Sequence, residues 1–141
     1  MVGALDVLAP VFVQVALTFG LLVWSGLHRF EAVRSGLVRS RDVALREPNW
    51  PPRIAQIANA YQNQLELPLL FYLLATLALF TGRATLTLVV LSWIFVATRL
   101  LHALVHVTTN NMARRFFLFL AGSLVLLAMW VLFVLDMIFA S

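Results

Sequence analysis

The chain has 141 residues, enough for one compact domain; 62% of them are hydrophobic and only 11% charged, with a mean hydropathy of +0.95. A water-soluble domain carries roughly 45–50% apolar and about 25% charged residues, so this composition excludes one and makes the bilayer the solvent for much of the chain. The absence of cysteine excludes disulfides, thiolate metal sites and a protein thiol nucleophile; the +4 formal charge lies largely on arginines in short loops beside apolar spans, which argues against nucleic acid.

Four apolar stretches are long enough to cross the ~30 Å hydrocarbon core as helices. They run from about Pro10 to Leu27, Ile54 to Phe80, Ala84 to Val107 and Phe116 to Ala140. The N-terminus has no positive region, Asp6 is its sole charge, and no small-residue cleavage pattern precedes Trp24–His28, so the first span is expected to stay rather than be removed as a signal peptide. No internal repeat or low-complexity tract interrupts the chain. The prediction is an all-α membrane protein, a single four-helix transmembrane domain over residues 1–141.

The arginines set the expected topology. Arg29, Arg34, Arg39, Arg41, Arg46 and Arg53 lie between the first two spans, and Arg114 and Arg115 between the last two. The opposite side holds Arg83, in the short turn with Gly82. The positive-inside rule then places both Arg-rich loops in the cytoplasm and both termini outside it. Basic positions filled by Arg and never by Lys suggest a GC-rich coding sequence, hence a bacterial inner membrane. Glu47-Pro48-Asn49-Trp50-Pro51-Pro52 closes the first loop as a rigid turn, with Trp50 as an interfacial anchor.

Two stretches break the apolar pattern. In the second span Asn59, Asn63 and Glu66 are spaced three and four apart and form one polar helix face, with Gln62 beside it. Pro68 then removes a backbone hydrogen bond; the spacing predicts a kink that frees the carbonyl of Gln64. In the third span Arg99, His102 and His106 share a face in the same cytoplasmic half. A charge inside a span costs about 2.5–3.5 kcal/mol on insertion scales, so such residues face a bundle interior or water and find a partner. Glu66 and Arg99 are the expected ion pair.

Other uses of these residues compete. Facing polar side chains also serve as structural glue that fixes helix register. His102 and His106 have the spacing of two metal ligands, with Glu66 as a third, but no HExxH motif accompanies them and no metal is assigned. Arg114-Arg115 is either a positive-inside stop signal or a cap over the polar cluster that stabilises a thiolate or carboxylate.

Together these features resemble the MAPEG family, the membrane-associated proteins of eicosanoid and glutathione metabolism. The resemblance covers nearly the whole chain. It is sharpest in Asn63-Gln64-Leu65-Glu66 followed by Pro68, in Arg99-Leu100-Leu101-His102, and in Arg115. It implies a homotrimeric four-helix bundle that binds glutathione between subunits and directs its thiol against lipophilic electrophiles or peroxides. Asn63 and Glu66 would contact glutathione, Arg99 would order Glu66, His102 would line the pocket, and Arg115 or Arg114 would hold the thiolate. Asn59 stands where well-known members carry Arg, His106 where they carry Tyr, and Phe116 and Phe119 where the synthases place Ser or Tyr; the proline also follows the Glu more closely. The expected function is thiol-dependent transferase or peroxidase chemistry on a lipophilic small molecule in the membrane. Its rivals are a non-catalytic module that binds a lipid or protein partner, and a small transporter that uses Glu66 as a proton site.

Overall fold

A computed structural model describes residues 2–44 and 49–139 of the chain. Arg46 of the Arg-rich loop, Glu47 and Pro48 of the expected turn, and Ala140 at the expected end of the last span lie outside them. Helix α1 covers Ala4–Arg34, α2 Pro52–Gln62, α3 Leu67–Phe80, α4 Leu86–Val107 and α5 Met112–Phe139. With α2 and α3 taken as one interrupted span, four helices are long and apolar enough to cross a membrane. The protein is an all-α, multi-pass membrane protein built as a four-helix bundle.

Local chemistry explains where the helices begin and end. Asp6 accepts the Gly3 N–H at 2.8 Å, pairing one of the donors left over at the start of α1. Pro52 occupies the first position of α2, where its missing N–H has no helical partner to lose. Gly82 ends α3 with φ at 68°, and the Arg83 N–H reaches back to Ala78 O at 2.9 Å. Thr85 then caps α4 by accepting Leu88 N–H at 3.2 Å. On the opposite side of the bundle, Asn110 turns the chain with φ at 50°, a region that asparagine tolerates.

The second span is not one kinked helix. Its α-helix stops at Gln62, a 3-10 turn runs over Asn63–Leu65, and α3 starts afresh with Pro68 in its first turn. Proline is harmless there, so the break lies one turn earlier than a simple proline kink implies.

Helix α4 is the hub, packed on α5, α1 and α2. In the half of the bundle near Gly82 the core is largely apolar, and the buried Ser92 hydroxyl is spent on Leu88 O of its own helix. Phe71, Leu74 and Ala78 of α3 meet Phe95 and Val96 of α4 and Leu126 and Met129 of α5, and the Phe71 and Phe95 rings stack 4.9 Å apart. In the other half the core of α4 changes to Arg99, His102 and His106. Outward faces carry large apolar side chains such as Phe12, Phe19, Phe117 and Leu127, as a bilayer requires.

The approach of α5 to α4 rests on Gly122. A Cβ there would lie 2.7 Å from Thr98 Oγ1. That hydroxyl is held by Phe95 O at 2.6 Å on a β-branched side chain, so it has little room to yield. Gly122→Ala is therefore expected to push α5 outward and lower stability by about 1–3 kcal/mol, the usual range for overpacking. A melting curve in detergent indistinguishable from wild type would show that the helices are not locked at this point.

Candidate polar site between the second, third and fourth spans

Arg99, His102 and His106 project from one face of α4 because they are three and four residues apart. Arg99 lies eight residues before the end of α4 at Val107, about 12 Å along the axis. Its side chain is 0% exposed.

The expected Glu66–Arg99 ion pair is not formed. Among the described residues the ion pairs are Arg39–Asp42, Arg41–Asp42 and Arg83–Asp136. Arg99 Nη2 donates instead to the backbone oxygen of Asn63 at 2.9 Å, and Glu66 is exposed, acting on Arg99 only at longer range. The reason is the helix break. By interrupting the ladder at Asn63 it frees a main-chain carbonyl, and it turns Glu66 away from the bundle. The carbonyl that gains a side-chain donor is thus that of Asn63, not that of Gln64.

Asn63 makes a second contact. Its side-chain nitrogen lies 3.2 Å from His106 Nδ1. The rings of His102 and His106 meet edge to face at 5.8 Å. Phe119 of α5 closes the cluster, with its ring 6.1 Å from that of His102 and 5.9 Å from the Arg99 guanidinium carbon. Among the described residues no group of three His, Asp or Glu side chains is placed to hold a metal ion, so the two histidines and Glu66 do not form the three-ligand set their spacing allows.

The start of α5 brings the two loop arginines to different places. Arg115 is partly buried; its Nη1 donates to Asn110 Oδ1 at 2.7 Å, and its backbone lies against His102. Arg114 is exposed, and its backbone N–H is capped by Asn111 Oδ1 at 3.0 Å. Asn59 and Gln62 also point outward, alongside Glu66. The described structure therefore brings together Asn63, Arg99, His102, His106 and Arg115, and leaves Asn59, Gln62, Glu66 and Arg114 on the surface of the single chain.

Among the described residues the cluster is rich in unanswered polar atoms. Arg99 Nε and Nη1, both ring nitrogens of His102, and Arg115 Nε are buried with no hydrogen-bond partner. The backbone of Arg115 approaches the His102 ring without reaching hydrogen-bond geometry. Buried guanidinium N–H groups are normally satisfied, so their chemistry suits an acceptor, above all a carboxylate that can take two parallel bonds.

Three supporting features were not evident from spacing. Arg53 and Gln56 of α2 fasten the last turn of α4: Arg53 Nη1 donates to Val107 O, and Gln56 Nε2 to His106 O at 2.6 Å. Phe119, one of the two phenylalanines that stand where the resemblance has Ser or Tyr, covers the cluster. Gln14 of α1 is fully buried and donates to Gln64 Oε1 at 2.9 Å. The signal for Gln14 was available, as an amide in the middle of an otherwise apolar span.

Comparison with known proteins gives one family match: the MAPEG family model aligns with residues 7–135. No curated protein matches the chain, and no solved structure does.

Proposed function

Because the chain belongs to the MAPEG family, we propose that its polar cluster binds glutathione, or another thiol carrying carboxylates, and activates the thiol against a lipophilic electrophile or peroxide in the membrane. The observation that carries this reading is Arg99, a fully buried guanidinium with Nε and Nη1 unpartnered. Arg99 would take a ligand carboxylate, Asn63 and the histidines would line the pocket, and Arg115 would face the sulfur. The thiol proton leaves to solvent. The thiolate forms a carbon–sulfur bond while the electrophile releases its leaving group; with a peroxide the thiolate instead takes the terminal oxygen as the O–O bond breaks, the departing alkoxide picks up a proton to leave as an alcohol, and a second thiol displaces water from the resulting sulfenic acid to give the disulfide.

The exposure of Asn59, Gln62 and Glu66 supports an assembly of several copies, and we propose the homotrimer implied by the resemblance. Three polar side chains exposed on a membrane span demand cover by protein or water rather than lipid. In a trimer these side chains would complete the site of a neighbouring copy, and Glu66 would meet the ligand's amine there. The use of Arg without Lys supports a bacterial inner membrane, and the arginine asymmetry supports the Arg-rich loops in the cytoplasm. Reporter fusions at Arg41 are expected to read as cytoplasmic and fusions at the C-terminus as outside. A cytoplasmic C-terminus would reverse the orientation.

The direct test adds glutathione to purified protein and records the ultraviolet difference spectrum for a bound thiolate. A saturable thiolate band is expected. Its absence, together with no binding heat, would remove the proposal. One observation favours a second reading: Glu66 is exposed and forms no ion pair among the described residues, as a proton-carrying carboxylate in a small exporter would require. Proton-coupled dye efflux from vesicles that is lost in Glu66→Gln would favour the exporter.

A further inference from the structure

We propose that the buried amide pair Gln14–Gln64 is a positioning element for the polar cluster, fixing the break in the second span so that Asn63 meets Arg99 and His106 at once. Gln64 lies inside the 3-10 turn, directly after Asn63. Gln14 Nε2 donates to Gln64 Oε1 at 2.9 Å, and Gln64 Nε2 donates to Ala60 O at 3.1 Å in the last turn of α2. A relay of two amides thus ties α1 to the turn, and the turn back to the helix before it.

The turn needs such a tie. Short 3-10 segments have poorer hydrogen-bond geometry than α-helix, and Pro68 removes a backbone donor from the turn that follows. Asn63 contacts Arg99 through its main-chain oxygen and His106 through its side chain. Rotating the side chain alone cannot restore both contacts if the backbone of the turn shifts. The placement of the main chain at residue 63 is therefore what the cluster depends on, and Gln64 is the neighbour that holds it.

Stability alone does not account for the pair. Gln14 and Gln64 are 0% and 1% exposed, and Gln14 Oε1 is buried without a partner. An unpaired amide oxygen in a dry interior is unfavourable, and two apolar side chains of similar size would pack there without that penalty. Features kept against local packing preference concentrate at functional sites. This argument concerns the geometry of Asn63; only its catalytic readout rests on the glutathione reading.

The test compares Gln14→Leu and the double variant Gln14→Leu/Gln64→Leu with wild type in detergent. Replacing both partners removes the relay without leaving a lone buried amide, so the double variant is expected to melt near wild type. Hydrogen exchange read by mass spectrometry should then show at least tenfold faster exchange confined to Leu65–Leu69, with α4 and α5 unchanged. With glutathione and chlorodinitrobenzene as substrates, kcat should fall on the order of tenfold to a hundredfold at unchanged melting temperature, as small misplacements do. Unchanged exchange at Leu65–Leu69 in the double variant would overturn the proposal. Loss of protection throughout the bundle would also overturn it, in favour of a plain core role. If wild type neither binds nor turns over glutathione, the proposed function fails, while the exchange measurement still decides whether the relay holds the turn.

Discussion

Arg99→Met is expected to lose glutathione affinity by roughly thirty-fold to several thousand-fold while leaving the fold nearly intact. The two effects separate because of what Arg99 does and does not touch. Had it been paired with a buried Glu66, its removal would strand a carboxylate and cost about 3–5 kcal/mol of stability. Glu66 is exposed instead, and among the described residues the one direct hydrogen bond of Arg99 goes to the neutral carbonyl of Asn63. Losing that donor costs about 1–3 kcal/mol, the penalty for an unsatisfied buried acceptor. Relief of a fully buried charge with unanswered N–H groups acts in the opposite direction. Methionine suits the comparison because its flexible chain fills most of the space. Binding has no such compensation: truncating one partner of a buried, hydrogen-bonded charge pair costs about 2–5 kcal/mol, which is the stated range in Kd. Calorimetric titration and thermal melts of the same preparations measure both. A variant that binds glutathione like wild type would show that Arg99 is structural glue, and one that unfolds outright would show that its anchor on Asn63 matters more than its charge.

The contrast between Arg99 and Glu66 shows how far the sequence could be read. Helix existence and span number follow from long apolar runs, and the residues facing inward on α4 follow from three-and-four spacing, because an unbroken helix turns spacing into geometry. The same rule fails across Asn63–Leu65. There the helix changes to a 3-10 turn, so Asn59, Asn63 and Glu66 no longer share one face as counted. Side-chain pairing across the break then cannot be deduced from position, and a backbone carbonyl that no residue letter announces becomes the partner of Arg99. Gln14 was legible as an oddity in α1, but its partner sits fifty residues away, and one sequence does not encode that distance in any local pattern. Phe119 reads as ordinary apolar lining until the bundle places it over Arg99 and His102.

Arg115→Leu is expected to raise the pKa of a bound thiol and slow conjugation about tenfold or more at neutral pH, with a smaller change in glutathione affinity. A free thiol ionises near pH 8.5, so only about 3% is thiolate at pH 7, and a neighbouring cation raises that fraction by favouring the charged form. Two arginines stand at the start of α5, and the structure separates them. Arg115 is partly buried, braced by Asn110, and carries a buried Nε with no partner. Arg114 is exposed, and its backbone N–H is capped by Asn111. Arg115 is also suited by chemistry, since a guanidinium stays protonated at any working pH and keeps several donors in a fixed plane. If Arg99 and Asn63 hold the rest of the tripeptide, affinity should survive largely in Arg115→Leu while the thiolate band shifts to higher pH. Arg115→Lys should retain part of the rate, because the charge remains and the planar fork does not. Asn110→Ala should fall between wild type and Arg115→Leu, since it removes the brace but not the cation. The decisive measurement is the pH titration of thiolate absorbance in wild type and the four variants, Arg114→Leu included. A titration that moves in Arg114→Leu and not in Arg115→Leu would exchange the roles of the two arginines; one that moves in neither would mean that no loop arginine holds the sulfur, and Arg99 would be left as the cation to test.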